Sequence, residues 1–390
     1  MQILKYKYRI YPNNEQVSNL NQICGIQRAV WNNFLAEEMD RYENDGKFNF
    51  LHQNSKWLTE LKDYVPWLNK SPAVSLQQTL RYLDSAIKQS FKKGSSKKGF
   101  PKFKKKRNNN GSFSLTMTSI KANIKGEQFY IPKVGLVNWK CHREVPNEFK
   151  SIQVKQEAGR WFVVLTTKKA KIPKRSINSS IGIDLNSKEY VIFNGKQQER
   201  FDVPKPLREN QTKMKVLQQL FARSKKGSNN RRKIQYKIQR LHQYMANVRS
   251  DFFHKLSHYL VTKYDLICIE DLDVKGIQVK MGKVIQDNMF GAFRQMIEYK
   301  AELYGATTSV ISRWYPSSQT CSSCGGIQKM PLNLRTYNCK NCNFELDRDL
   351  NSAINIRRAG TARIAFGDET PIEQAIVFGQ LVNIYEEGSH

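Results

Sequence analysis

The sequence predicts a multidomain protein of the α+β and α/β classes, with a helical module inserted in a small β-barrel and an α/β domain after it. Three observations predict this fold class. Apolar residues follow helical spacing over residues 14–92, short β-type runs fill residues 112–169, and apolar strands alternate with amphipathic helices from residue 181 onward. The 390 residues suffice for roughly two to three domains with sizeable cores.

The first strand and the helical module are predicted from a change in apolar period. Residues 3–11 alternate basic with bulky side chains, which is the period-two pattern of a strand with one wet face. Pro12 and Asn13 end this strand and offer a helix N-cap. A second helix is predicted after Pro72, because proline suits the start of a helix. Strand 3–11 is expected to join the β-type runs of residues 112–169.

The charge of the chain predicts a nucleic-acid partner. Lys and Arg number 64 against 34 Asp and Glu, a formal charge of +30 that nucleic acid or an anionic membrane surface could offset. The charge is spread along the chain among 17 Tyr and 20 Phe rather than concentrated on one amphipathic helix, which favours nucleic acid. A hydrophobic fraction of 39% can support packed domains, so the chain as a whole is not a disordered basic segment. No apolar run approaches the ~20 residues of a membrane span, and no signal peptide opens the chain, so it is expected to stay inside the cell.

Two segments concentrate the basic residues. Residues 92–107 hold nine Lys or Arg and no acid around Phe100 and Phe103, which fits either a solvated linker or an ordered strap along a phosphate backbone. Residues 213–255 hold twelve Lys or Arg against a single acid, Asp251. Since surface helices normally mix both signs, this one-sided charge predicts a helix that lies against phosphates.

Four cysteines have the spacing of a metal site. Cys321 and Cys324 form one CxxC pair, and Cys339 and Cys342 form a second pair after fourteen intervening residues. Four thiolates at this spacing are typical of tetrahedral Zn²⁺. Two redox pairs are the alternative, although no thioredoxin-like βαβ pattern surrounds them.

Carboxylates at the ends of apolar segments indicate the chemistry. Asp184 and Glu270 each end a short apolar strand, and Asp347 and Asp349 open a short helix. Each acid alone fits a helix cap or a surface position, because a buried lone carboxylate is costly. Together they suit two Mg²⁺ or Mn²⁺ ions about 3.5–4 Å apart that hydrolyse a phosphodiester. The histidines form no metal cluster and no Ser/His/Asp signature is present, so a metal-dependent nuclease remains as the enzyme class.

Several motifs resemble those of TnpB, the family of transposon-encoded RNA-guided endonucleases related to type V CRISPR effectors. The similarity extends over residues 1 to about 360. The segments that carry it are Leu76–Leu80, Gly99–Lys104, Gly182–Leu185, Ile269–Leu272, Pro316–Gly325 and Asp347–Ile356.

The resemblance implies a domain organisation and a set of partners. It implies a wedge β-barrel (1–13 and 112–175), a helical recognition lobe with the basic strap (14–111), an RNase H-like RuvC nuclease domain (176–313 and 346–368) and a zinc-binding target nucleic-acid domain (314–345). The chain after about residue 360 matches the family poorly, and residues 369–390 are expected to form a mobile tail. It also implies a guide RNA derived from the transposon end, and double-stranded target DNA cut beside a transposon-adjacent motif. The protein is expected to be a monomer in this ribonucleoprotein, in the nucleoid-associated cytoplasm of a prokaryote, away from membranes.

Carried over by position, the catalytic residues and Mg²⁺ ligands are Asp184, Glu270 and Asp349. Asp349 is preferred over Asp347 because relatives share an Asp-x-Asn spacing, present here with Asn351. Asn186 stands where the family commonly has glycine, and a turn there can survive because asparagine tolerates the left-handed conformation. Candidate nucleic-acid contacts are Gln77, Gln78, Lys102, Lys104, Lys105, Arg107, Arg231, Arg232, Lys237 and Arg240.

Two other functions stay open at this point. One is an RNA-guided DNA-binding repressor that does not cleave, against which the presence of all three acids argues. The other is an unguided RuvC-type resolvase or a transposase, which would not explain the presence of separate helical and barrel modules.

Overall fold

The computed structural model describes most of the chain, which divides into two compact units, residues 1–169 and 170–390. The described residues are 2–49, 51–92, 99–106, 111–116, 124–146, 148–186, 188–272, 289–331 and 334–366. The predicted mixture of α+β and α/β structure is confirmed. The tail predicted over 369–390 lies outside the described residues.

Three long helices form the helical part of the first unit. They are α1 (Asn14–Asp45), α2 (Leu51–Tyr64) and α3 (Ala73–Phe91), with a 3₁₀ turn at Pro66–Lys70. Helix α1 begins at the predicted cap, where Asn13 Oδ1 accepts the Gln16 backbone N–H at 2.8 Å and Gln16 Oε1 accepts the Asn13 N–H at 3.0 Å. It ends at Gly46, whose φ of 64° suits glycine. Helix α3 follows Pro72, also as predicted.

An antiparallel sheet completes the first unit. Its strands are β1 (Gln2–Tyr11), β2 (Ser112–Thr116), β3 (Ile124–Lys125), β4 (Gln128–Ile131), β5 (Gly135–Lys140), β6 (Ser151–Glu157) and β7 (Arg160–Lys169), in the order β2-β6-β7-β1-β5-β4-β3. Strand β1 lies centrally between β7 and β5, so the strand predicted at 3–11 does join the β-type runs. Side chains from both halves, such as Phe113, Phe129 and Val163, share one core, which shows that the sheet curls. Within the described residues no ladder joins β2 to β3, and closure into a barrel stays a prediction.

The second unit contains a five-stranded mixed sheet. Its strands are β8 (Ser180–Leu185), β9 (Glu189–Phe193), β10 (Gln198–Asp202), β11 (Leu266–Glu270) and β12 (Thr307–Ile311), in the order β10-β9-β8-β11-β12. Strands β8, β11 and β12 are parallel, so their carboxyl ends lie at one edge. Arg175 donates to the carbonyls of Val261 and Tyr264, which places the chain before β8 in this unit.

Helices cover both faces of this sheet. They are α4 (Pro206–Glu209), α5 (Gln211–Arg223), α6 (Asn229–Lys263), α7 (Phe290–Tyr304) and α8 (Arg348–Phe366). Ile183 and Ile269 pack with α6 and α7, whereas Cys268 packs with Ile356 of α8 on the other face. The strands are therefore buried on both sides, as their continuous apolar runs predict. Among the described helices, none has the length and apolar character needed to cross a bilayer.

Candidate functional site

Helix α8 lies unusually close to the sheet because each side of the contact contributes a glycine, Gly182 from β8 and Gly360 from α8. A Cβ at Gly182 of β8 would lie 2.1 Å from the carbonyl oxygen of Ala353 in α8. A Cβ at Gly360 of α8 would lie 2.4 Å from the sulfur of Cys268 in β11. The helix backbone thus rests directly on two strands, and this approach sets where the first turn of α8 meets the sheet edge.

Gly182→Ala is expected to lower the free energy of unfolding of the second unit by about 3 kcal/mol, because a methyl group there must displace backbone rather than a flexible side chain. Thermal denaturation followed by circular dichroism measures this change. The control is Gly25→Ala within α1, where the new Cβ comes no closer than 3.9 Å to the Arg28 side chain and a gain of about 1 kcal/mol is expected. Equal stability of Gly182→Ala and wild type would contradict the close contact.

Two of the predicted acids lie side by side at the carboxyl edge of the sheet. The parallel ladder between β8 and β11 pairs Ile183 with Ile269, and Asp184 and Glu270 are the next residue of each strand. Because side chains alternate along a strand, both acids share the α8 face with Gly182. Asp349 lies in the first turn of α8. The structure therefore brings together the three acids that the resemblance selects.

The three carboxylates affect one another electrostatically. Burial, followed by the negative charges of Glu270 and Asp349, raises the pKa of Asp184 well above its ordinary value. Burial also raises the pKa of Glu270, although Ser317 opposes the shift by hydrogen bonding. Crowded buried carboxylates of this kind favour a cation, which would stabilise their ionised forms. Oxygen ligands are also the donors that Mg²⁺ prefers, so this set of residues fits a hard divalent cation.

The acids are spread more widely than the ligands of a single-ion cage. Within the described residues, only the cysteine cluster has three or more metal-type ligand atoms within 4.8 Å of one another. Two ions about 3.5–4 Å apart need ligands distributed around both of them. The wider arrangement of Asp184, Glu270 and Asp349 is compatible with that geometry.

Hydrogen bonds orient each carboxylate. Ser317 Oγ donates to Glu270, Ser352 Oγ lies 3.0 Å from Asp184 Oδ1, and Asn186 Nδ2 donates to Asp349. Neither serine was predicted from the sequence, although Ser317 lies within the motif Pro316–Gly325. The left-handed turn considered for Asn186 is not present, because its φ is not positive; instead its side chain contacts a predicted catalytic acid.

Asp347 has a different role from Asp349. Its Oδ1 accepts the backbone N–H groups of Asp349 at 3.1 Å and Leu350 at 3.0 Å, so it caps α8. The same oxygen lies 2.9 Å from an Arg200 nitrogen. These bonds hold Asp347 as an N-cap, which favours Asp349 as the member of the carboxylate group.

A cleft of about 260 Å³ opens beside Glu270. Its walls include Leu185, Asp271, Phe290 and Arg294. Asp271 is ion-paired with Arg313 and Arg294, and the Arg313 hydrogen bond is the main reason that its pKa is lowered. The acid next to Glu270 in sequence is thus neutralised by arginines, unlike Glu270 itself.

The four predicted cysteines converge in the second unit. The sulfurs of Cys321 and Cys342 are 3.8 Å apart and those of Cys324 and Cys339 are 3.5 Å apart, with all four inside 4.8 Å. Tetrahedral zinc with bonds near 2.3 Å requires sulfur–sulfur distances of about 3.8 Å. The cluster therefore has the dimensions of a tetrahedral metal site.

The two cysteine pairs are built by the same turn. The residue four positions after the first cysteine of each pair is left-handed: Gly325 has φ of 77° and Asn343 has φ of 58°. Strands β13 (Thr336–Asn338) and β14 (Glu345–Asp347) form a hairpin around the second pair. Burial acts to raise the pKa of Cys339, but backbone N–H groups of Cys342 and Asn341 outweigh it and lower this pKa to about 6. Burial raises the pKa of Cys321 to about 12, so bound metal would be needed to ionise all four thiols.

The basic strap of the first unit is docked on α1 over residues 99–106. The Trp31 indole N–H donates to the Lys102 carbonyl at 3.3 Å, and Asn32 exchanges two hydrogen bonds with the Lys104 backbone. Lys104 Nζ lies 3.6 Å from the centre of the Trp31 ring, while the Lys102 and Lys105 side chains are exposed. Residues 99–106 therefore form an ordered segment rather than a solvated linker, and their contact with a phosphate backbone stays a prediction.

The other candidate nucleic-acid contacts differ in how exposed their side chains are. Gln77 and Gln78 of α3 are half-buried, and Arg107 lies outside the described residues. The Arg231 guanidinium donates to the carbonyls of Phe221 and Ser224 at 2.7 and 2.8 Å and stacks over the Phe221 ring, so it stabilises the turn between α5 and α6. The exposed members of α6 are Arg232, Lys237 and Arg240.

Comparison with known proteins identifies the family. Residues 1–47 match a family model described as a helix-turn-helix domain, residues 152–280 one described as a probable transposase, and residues 290–356 one described as a Cas12f1-like TNB domain. A Streptomyces pristinaespiralis protein named "Putative RNA-guided DNA endonuclease" is 33% identical over 372 residues, which cover 93% of this chain and 90% of that protein. The chain belongs to the TnpB family.

Other relatives of this TnpB protein extend the comparison. The Escherichia coli K12 protein of the same name with the suffix InsQ is 29% identical over 385 residues, covering 93% of this chain and 94% of that protein. A CRISPR-associated endodeoxyribonuclease Cas12f1 of Sulfoacidibacillus thermotolerans is 30% identical over 140 residues, 35% of this chain and 33% of that protein. The solved Cas12f1-sgRNA-target DNA complex matches with a TM-score of 0.50 at 16% identity, over 88% of this chain and 82% of that chain, which indicates a shared fold.

Proposed function

We propose that this TnpB protein is an RNA-guided DNA endonuclease that cuts target DNA beside a transposon-adjacent motif by two-metal-ion hydrolysis. The observation that carries the proposal is the convergence of Asp184, Glu270 and Asp349 at one sheet edge in a chain of net charge +30. A non-cleaving repressor would have no need to keep three half-buried carboxylates close enough to raise the pKa of Asp184. The family relationship supports the same activity.

The acids have distinct positions in the proposed reaction. Two Mg²⁺ or Mn²⁺ ions, when bound, would polarise the scissile phosphate and stabilise the attacking and leaving oxygens. The negative charges of both other acids raise the pKa of Asp184, so Asp184 is the candidate ligand that the two metal ions would share. Glu270 and Asp349 complete the set, and Asn186 fixes the orientation of Asp349. The assignment of this unit to an RNase H-like RuvC domain (176–313 and 346–368) is part of the proposal.

The remaining proposed parts bind nucleic acid and zinc. Cys321, Cys324, Cys339 and Cys342 would hold one structural Zn²⁺, since four thiolates leave no open position for a substrate. The exposed Lys102, Lys105 and the basic face of α6 suit the backbone of an RNA–DNA heteroduplex, which the protein would grip without reading its sequence. Guide RNA from the transposon end, bound by a protein monomer, would supply the sequence specificity.

Guide dependence tests the proposal directly. Protein stripped of RNA is expected to bind DNA weakly and without sequence preference, with log K falling steeply with log salt because Lys and Arg contact phosphates. Adding the RNA that copurifies with the protein, identified by sequencing, should give cutting only where the guide pairs beside an adjacent motif. The measurement is cleavage of matched, mismatched and motif-free duplexes on a denaturing gel.

Two outcomes would favour the alternatives. Guided binding without cutting at any Mg²⁺ or Mn²⁺ concentration would indicate the repressor. Equal cutting of a defined site or a branched junction by RNA-free protein would indicate an unguided resolvase.

A further inference from the structure

The start of α8 presents a polar face that is almost completely buried. Asn351, Ser352 and Asn355 are 0%, 2% and 2% exposed, respectively. Buried amides and hydroxyls are costly unless they are hydrogen-bonded, so their hydrogen-bond partners indicate the structural role of this face. Those partners lie mainly in one segment, residues 316–322, which runs from the end of β12 into the first cysteine pair.

The two asparagines hold the backbone of this segment. Asn355 Nδ2 donates to the carbonyls of Ser317 at 2.8 Å and Thr320 at 2.7 Å. Asn351 Nδ2 donates to the Thr320 carbonyl at 2.8 Å, and its Oδ1 accepts the Ser322 N–H at 2.9 Å. The clamped backbone therefore lies on both sides of Cys321, which is itself a member of the cysteine cluster.

The segment that the two asparagines hold also contacts a carboxylate of the proposed nuclease site. Ser317 is 6% exposed and its hydroxyl donates to Glu270 Oε1. Its oxygen lies 3.1 Å from the Ser352 hydroxyl, which in turn lies 3.0 Å from Asp184 Oδ1. Each hydroxyl has one proton, so with both acids ionised each serine donates to one carboxylate. That bond orients the carboxylate, and its other oxygen accepts no hydrogen bond from the part of the chain that the structure describes.

We propose that Ser317 is a positioning residue for Glu270, and that the metal-filled cysteine cluster acts on cleavage by keeping Ser317 in place. The proposal rests on the proposed function and adds a role for the cysteine insertion within it. Loss of the cluster metal would release the turn at Cys321, and the clamped segment would then carry Ser317 away from Glu270. Hydrogen-bonding partners of metal ligands typically contribute 10–100-fold to metal affinity or activity.

Substitution of Ser317 tests the first half of the proposal. In the guide-RNA complex, Ser317→Ala is expected to keep target binding while lowering cleavage about 10–100-fold, and to weaken Mn²⁺ binding, measured by electron paramagnetic resonance, by about tenfold or more. Ser317→Thr retains the hydroxyl and should recover most of both losses. Ser318→Ala is the matched control, because the Ser318 hydroxyl has no hydrogen-bond partner in the described part of the chain.

The result separates this proposal from the nuclease assignment. Wild-type Mn²⁺ affinity and cleavage in Ser317→Ala, together with no cleavage in Glu270→Gln, would overturn the role of Ser317 alone. Cleavage by Glu270→Gln at the wild-type rate would overturn the assignment of Glu270 to the nuclease site, whereas absence of guided cleavage by the wild-type protein would overturn the proposed function. Thermal denaturation of each variant shows whether any loss comes from unfolding instead.

Hydrogen exchange tests the second half. Removing the cluster metal from the intact complex with a chelator is expected to speed amide exchange in residues 266–272 and 348–356 as well as in the cysteine segment. Mg²⁺ returned in excess keeps the nuclease site supplied, so the change reports on the cluster. Faster exchange confined to residues 321–345 would overturn the coupling.

Discussion

Asp184→Asn, Glu270→Gln and Asp349→Asn are each expected to lower guided DNA cleavage by about 10³-fold or more, while target binding changes little. A bound cation contributes several kcal/mol to the transition state, and each 1.36 kcal/mol corresponds to a factor of ten in rate. Each substitution keeps the shape of the side chain and removes one anionic ligand. Binding should persist because contacts to phosphate come from Lys and Arg elsewhere. Single-turnover cleavage and filter binding of the same complexes give the two quantities.

The control for this series is Asp347→Asn. Asparagine caps a helix as well as aspartate does, so the bonds to the Asp349 and Leu350 N–H groups should survive while the contact with Arg200 weakens. Cleavage close to that of wild type is expected. Retained cutting in Asp349→Asn with loss in Asp347→Asn would show that Asp347 is the catalytic aspartate.

Cys339→Ser is expected to abolish stoichiometric zinc binding and to unfold the cysteine segment. Structural zinc in small domains contributes apparent free energies of about 10–16 kcal/mol. The apolar cluster here is small: among the described residues it comprises Tyr337, Met330 and Phe344 besides Cys321 and Cys339. Mass spectrometry with inductively coupled plasma should find one Zn²⁺ per wild-type chain. Proteolysis of residues 321–345 should accelerate in the variant. Cys141→Ser, at an exposed cysteine outside the cluster, is the control.

The cysteine cluster is expected to bind zinc less tightly as pH falls. The pKa of Cys339 is lowered to about 6, so this thiol is ionised and ready to bind metal above pH 6 and protonated below it. Protons therefore compete with the metal as pH falls, and zinc release by a chelator should become faster on acidification from pH 7 toward pH 5. Unchanged zinc content in Cys339→Ser, or release that slows in acid, would contradict this assignment.

The acids on the strands could be predicted from sequence because a carboxylate that ends a short apolar run is a local signal. Asp184 and Glu270 each carry that signal, and parallel pairing of β8 with β11 then makes them neighbours. The choice of Asp349 over Asp347 needed the family resemblance, since both open the same helix and only the tertiary fold shows which of them acts on Asp184. The cysteine cluster was predictable from spacing alone, because metal geometry demands that spacing.

The supporting hydrogen bonds could not be predicted. Serine and asparagine occur throughout the chain, and nothing in the motif Pro316–Gly325 distinguishes Ser317, which contacts Glu270, from its neighbour Ser318. The role of Arg231 was also hidden within a basic run. Its guanidinium binds the carbonyls that close α5, where a helix C-terminus attracts a cation. A count of charges cannot separate such an arginine from those that face solvent.

Strand β14 passes directly into α8, so the cysteine hairpin and this helix cannot be exchanged separately between relatives. Asp347 is at once the last residue of the cysteine hairpin and the cap of the helix that carries Asp349. At its other end, the insertion is fastened to the same helix through the carbonyls of Ser317 and Thr320. The insertion and α8 therefore form one connected structural piece. A chimera between relatives should exchange residues 316–366 as a single block, since a junction at 345 would separate the hairpin from the helix that it starts.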